Sequence, residues 1–196
     1  MTTNEALELL KAGNLRFTQG LHTGHEQHEH RRIHTAETGQ KPFAAVLACS
    51  DSRVPVEMLF DCGIGDIFVA RVAGNVAGLE QLGSLEYAVA HLGVSLVVVL
   101  GHSKCGAVTA VVEGHEMQGH IKSLAERIAP VVEETRRIYP DLEMDELLDE
   151  CIRANVRYIK DHLTDKSVSM KKAVEDGSLK IIGAHYDIGS GHVDWD

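Results

Sequence analysis

The sequence predicts an α/β fold, a mostly parallel β-sheet core flanked by helices, on three observations. Short continuous apolar runs recur at residues 43–48 (FAAVLA), 67–72 and 95–100 (SLVVVL), each the length of a strand buried on both faces. Amphipathic stretches of helical period lie between and after them. The 196-residue chain is 44% apolar and 24% charged, which suits a globular protein with a sizeable core.

The first 17 residues read as an amphipathic helix, opened by Thr2 and Glu5 at capping-box spacing. Residues 21–40, rich in histidine and polar throughout, read as a loop or extended arm. The strand at 43–48 leads to a short helix over 54–62, with Pro55 in its first turn and Gly63 at its exit. A second strand covers 67–72. Residues 78–92 read as a helix that places Leu82, Leu85, Val89 and Leu92 on one face. The third strand, 95–100, passes through a loop at 101–106 into a short helix over 107–113. Long amphipathic helices are expected over about 121–139 and 145–163, broken by Pro140. Residues 180–183 give a fourth strand, and 192–195 a candidate edge strand. No repeat or linker divides the chain, so one domain over 1–196 is expected, with an N-terminal helix and arm over about 1–40.

A net charge of −10 argues against nucleic-acid binding, which draws on basic residues meeting phosphate. No apolar run approaches the roughly 20 residues that span a bilayer. The N-terminus lacks the basic start and apolar stretch of a secretory signal, so a cytoplasmic address is expected. The four cysteines are then expected to be thiols rather than disulfides.

In open parallel sheets, ligands bind beyond the carboxyl ends of the strands. The first strand runs into Cys49-Ser50-Asp51-Ser52-Arg53 and the third into Gly101-His102-Ser103-Lys104-Cys105-Gly106. If these strands are neighbours, Cys49, His102 and Cys105 meet at one sheet edge, beside Asp51 and Arg53. Two thiolates and an imidazole suit zinc, and the fourth ligand sets the role: a carboxylate closes the site, whereas water makes it catalytic. Two buried thiols and a loop histidine would leave Asp51 and Arg53 in that loop unexplained.

CSDSR followed some fifty residues later by GHSKCG resembles the β-class carbonic anhydrases. The likeness extends through FDCGIGDIFVARVAGN, SLEYAVAHLGV and LVVVLGH; it is strong over about 40–115 and loose beyond. It implies reversible hydration of CO₂ to bicarbonate and a proton by a zinc-bound hydroxide, at a rate that rises with pH above neutral. Cys49, His102 and Cys105 would bind Zn²⁺. Asp51 would be either the fourth ligand of a closed site or, paired with Arg53, the gating and orienting carboxylate of an open one. Gln40 matches a glutamine that reaches substrate across a subunit boundary. Phe68 and Tyr87 match aromatics lining the CO₂ pocket, and Gly106 offers its backbone N–H to substrate. A homodimer or higher homo-oligomer follows from the shared cleft.

Some relatives carry a second, inhibitory bicarbonate pocket of Trp, Arg and Tyr. Arg71 and Tyr186 sit at two of those positions, but Val46 stands where the Trp is expected. That departure argues against bicarbonate regulation, and Arg71 has a structural alternative in a subunit-interface ion pair. The cluster His22, His25, His28, His30 and His34 is irregularly spaced and reads as a solvated arm rather than a second metal site. Cys62 and Cys151 read as small buried hydrophobes. On the same fold and ligands, the alternative activities are hydrolysis of carbon disulfide or carbonyl sulfide, or metal binding without catalysis.

Overall fold

The computed structural model describes residues 1–22 and 28–196, with nothing of the His28 side chain; His25 lies outside the described residues. Five strands form one sheet in the order β2-β1-β3-β4-β5. They are β1 (Ala44–Ala48), β2 (Ile67–Arg71), β3 (Leu96–His102), β4 (Lys180–Tyr186) and β5 (Val193–Trp195). The first four pair in parallel, and β5 returns antiparallel along β4. β1 and β3 are neighbours, aligned from Ala45↔Val97 to Ala48↔Leu100. The chain leaves β1 for β2 on one side and enters β3 on the other, which opens a crevice at their carboxyl ends.

Every residue of β1 and β3 is buried, which is why both read as unbroken apolar runs. Alternate side chains serve opposite layers. Val46, Leu96, Val98 and Leu100 pack with Ala6 and Leu10 of α1 (Thr3–Thr18) and Leu59 of α3 (Val56–Leu59). Leu47, Val97 and Val99 pack with Leu85 of α4 (Leu79–Ala90), Val156 of α7 (Met144–His162) and Met170 of α8 (Val168–Glu175). A third apolar cluster lies beneath the carboxyl ends, where α5 (Gly106–Val112), α6 (Lys122–Ile138) and α7 bring Val108, Ile128, Val132 and Ile152 against Cys49 and Cys105. Gly101 admits α7 to this end: a Cβ there would lie 2.4 Å from Val156 Cγ2.

The Thr2–Glu5 capping box is present in both directions. Two expectations need correction. The segment expected as a loop or arm contains α2 (His28–Thr38), a helix polar almost all round. Arg31 ties it down, donating to the Ile64 carbonyl at 3.1 and 2.9 Å and pairing with Asp66. That anchoring comes from residues 33 to 35 positions away, so apolar periodicity carries no trace of it. α8 was not expected at all. Its Ser167 cap accepts from the Met170 N–H at 3.2 Å, and Met170 is its one buried side chain.

Candidate metal centre

β1 delivers Cys49 one residue past its end, and β3 delivers His102 as its last residue. Cys105 follows after a tight turn in which Lys104 adopts φ 55°, and it caps α5. The Ser103 N–H donates to the Tyr186 carbonyl at 2.9 Å, and the Ile188 N–H donates to Ser103 Oγ at 3.0 Å, so β4 pins the turn.

The ligand atoms of Cys49, His102 and Cys105 all lie within 4.8 Å of one another, and the two sulfurs are 4.0 Å apart. This is the one such group of three among the described residues. His102 is fully buried. Its Nδ1 lies 3.0 Å from the Ser103 carbonyl, which places the ring proton there, and its Nε2 has no hydrogen-bond partner. An orphaned buried imidazole nitrogen beside two sulfurs is costly unless something accepts its lone pair. The donor set therefore fits a borderline-soft, tetrahedral ion.

Cys49 Sγ accepts from the Asp51 N–H at 3.4 Å and the Gly74 N–H at 3.3 Å. The Cys105 thiol, foremost, and then His102 and these two amides hold the Cys49 thiol well below its usual range, against burial. The Cys49 charge and burial push Cys105 up.

Asp51 stands at the rim of this group. Arg53 grips it bidentately, Nε to Oδ1 at 3.0 Å and Nη2 to Oδ2 at 2.7 Å, while the Arg53 backbone N–H adds 2.9 Å to Oδ1. Asp51 Oδ2 remains 3.9 Å from His102 Nε2. The Arg53 side chain, foremost, holds the Asp51 carboxyl well below the usual carboxylate range. Arg53 Nη2 also donates to the Lys104 carbonyl at 3.1 Å, joining the two strand-end loops.

The remaining candidates scatter. Phe68 on β2 and Tyr87 on α4 form a tilted pair with ring centroids 6.2 Å apart, and Tyr87 is 47% exposed. Gly106 opens α5 and is exposed; Gln40, also exposed, follows α2. Val46 lies inside β1, and Tyr186 is buried at the end of β4. Arg71 donates from Nε to the Cys49 carbonyl at 2.9 Å and from Nη2 to the Asp51 carbonyl at 2.6 Å. It braces the loop, a role the sequence did not suggest. The Gly74 amide was missed too; the glycine within VAGN was the available signal.

Cys62 and Cys151 are buried and are not members of this group, although Cys151 packs in the same apolar cluster as Cys49 and Cys105. Burial pushes Cys62 up to about 12 and raises Cys151 as well, so both are neutral thiols. On α2, the His30 and His34 rings stack 6.4 Å apart and are exposed, with no third ligand gathered among the described residues.

A carbonic anhydrase family model matches residues 44–193. The chain is 40% identical over 192 residues to carbonic anhydrase 2 of Mycobacterium tuberculosis, covering 95% of this chain and 89% of that one. A β-carbonic anhydrase of the fungal pathogen Aspergillus fumigatus superposes with a TM-score of 0.77 at 31% identity, over 98% of this chain and 89% of that one. One of the tetrameric β-carbonic anhydrases of Sordaria macrospora gives 0.77 at 25% identity, over 85% and 87%.

Proposed function

The chain belongs to the carbonic anhydrase family, in its β class, and on that premise we propose that it hydrates CO₂ reversibly to bicarbonate and a proton at a zinc ion held by Cys49, His102 and Cys105. The observation that carries this reading is the unpartnered, fully buried His102 Nε2 beside two sulfurs, with an ionised carboxylate 3.9 Å away. Zinc, when bound, supplies Lewis-acid activation of a water nucleophile. The residues do the rest. Cys49 and Cys105 as thiolates, with His102 through Nε2, would hold the ion and offset its dipositive charge.

Asp51 is the orienting acceptor. Its lowered pKa keeps it ionised near neutral pH, so its oxygens can accept a hydrogen bond from the attacking water. Arg53 keeps this carboxylate from closing over the ion, because a charge-assisted bidentate pair must break before Asp51 can move inward. The same dyad would be the gate: with the pair broken, Asp51 would be free to join Cys49, His102 and Cys105 in holding the ion.

Phe68 and Tyr87 line an apolar approach for CO₂, and Gly106 presents an N–H unobstructed by a side chain. Exposed Gln40 reaches substrate only in a partner's cleft, so the active form is a homodimer or higher oligomer. The tetrameric Sordaria relatives and the exposure of Leu79 and Tyr87 support this. With Arg71 Nε and Nη2 engaged on loop carbonyls and Val46 in the sheet core, we assign no second bicarbonate site. We read residues 1–196 as one domain and place it in the cytoplasm, where its four free thiols are stable. Among the described residues, no helix is long and apolar enough to cross a membrane.

Stopped-flow CO₂ hydration above neutral pH, with zinc content measured before and after chelation, tests the assignment. Activity should follow zinc. A zinc-replete protein no faster than buffer would overturn it.

A further inference from the structure

One buried polar side chain stands outside this account. The inward stripe of α7 consists of Leu147, Cys151, Ile152, Asn155, Val156 and Ile159, and Asn155 is its only residue with a polar amide. Asn155 is 1% exposed, and its Oδ1 has no partner. Packing alone would favour a leucine, because an orphaned buried carbonyl is a standing cost. Its Nδ2, however, donates to the Gly74 carbonyl at 3.0 Å, and the Gly74 N–H donates to Cys49 Sγ.

We infer that Asn155 is a positioning residue of the metal centre, holding Gly74 by its carbonyl so that the N–H of the same residue stays aimed at the Cys49 thiolate. Gly74 and Asn75 have successive positive φ angles of 73° and 44°, in a turn whose glycine has the widest backbone freedom of any residue. A side chain cannot stiffen it, since a Cβ at Gly74 would lie 2.8 Å from Ile128 Cδ1. The Asn75 N–H closes the turn onto the Val72 carbonyl at 3.0 Å, and Asn155 supplies the anchor from outside. An N–H donor to a thiolate stabilises its charge and fixes the sulfur lone pair toward the ion. Losing the anchor frees Gly74 to rotate and removes one of the two backbone donors to Cys49.

The inference rests on the zinc reading, and two measurements separate their failures. Wild-type protein, stripped and titrated with zinc against a chromophoric chelator, should bind one ion per chain, and Cys49→Ser should not. If the wild type binds none, the zinc reading fails and takes the inference with it. Asn155→Leu, which keeps the branching of the amide and exchanges the orphaned Oδ1 for an unpaired Gly74 carbonyl, should melt close to wild type when metal-free. It should still bind zinc about tenfold more weakly, within the range of outer-shell changes. In the cobalt-substituted protein, its sulfur-to-metal charge-transfer band should shift. Asn155→Ser, too short to reach Gly74, is the second variant should the leucine not fold, with the same loss expected. A folded variant with zinc affinity within about twofold of wild type and an unmoved cobalt band overturns the inference, because outer-shell contacts that orient a ligand cost more than that.

Discussion

Two regions concentrate residues that bind transition metals, and they differ in almost every physical respect. His30 and His34 of α2 are close in sequence and exposed along one helix; their rings stack, and among the described residues they belong to no group of three potential ligands. Cys49, His102 and Cys105 come from segments more than fifty residues apart, yet converge in a buried pocket at two neighbouring strand ends. Convergence under burial is what makes the second region the candidate metal centre. Exposed imidazoles satisfy themselves with water, whereas the buried Nε2 of His102 has no such recourse.

The largest effect should come from swapping the damage between these regions. Cys49→Ser or Cys105→Ser should abolish stoichiometric zinc binding and reduce CO₂ hydration to the buffer rate. His30→Ala combined with His34→Ala should leave zinc content and turnover within about twofold, since surface changes away from a site seldom reach it. Metal analysis and stopped-flow assay on the same preparations check both. Retained zinc in the cysteine variants, or lost zinc in the histidine pair, would invert the comparison.

Within the buried region, Arg53→Ala separates holding the metal from using it. It should keep its zinc and lose roughly 10²-fold in turnover, the scale of a displaced proton-handling group. Unchanged turnover would remove the role given to the Asp51–Arg53 pair. Arg71→Gln should be milder, about tenfold in kcat with zinc retained, because it loosens the carbonyls of Cys49 and Asp51 without touching either side chain. A loss as large as that of Arg53→Ala would mean that Arg71 acts directly.

How legible each region was in the sequence follows the same division. Strands β1 and β3 announce themselves because burial on both faces makes them uninterrupted apolar runs, and the ligands follow directly from their ends. The adjacency of those strands was the condition on which that reading stood, and the register meets it. α2 was illegible because a helix without an apolar face leaves no period; its anchor is Arg31 on Ile64 and Asp66. Gly74, Arg71 and Asn155 were illegible for another reason. They act through backbone atoms, and a hydrogen bond to a carbonyl places no demand on which residue supplies that carbonyl.

The smallest expected effect concerns the Asp51 proton itself. Arg53 holds the folded-state pKa of Asp51 below that of the unfolded chain, about 3.9 for a free aspartate. A depressed folded value means the pair stabilises the fold fully above the unfolded value and loses that contribution as pH falls through the lower, folded one. Acidifying metal-free protein toward pH ~4 should therefore leave Asp51 ionised while exposed carboxylates begin to protonate. Carbon-13 titration of the aspartate carboxyls should show Asp51 among the last to take up a proton, and Arg53→Ala should return it toward the ordinary range. An Asp51 that titrates with the exposed carboxylates in wild-type protein would mean the Arg53 contact is not held in solution, and the carboxylate could then close over the metal without first breaking an ion pair.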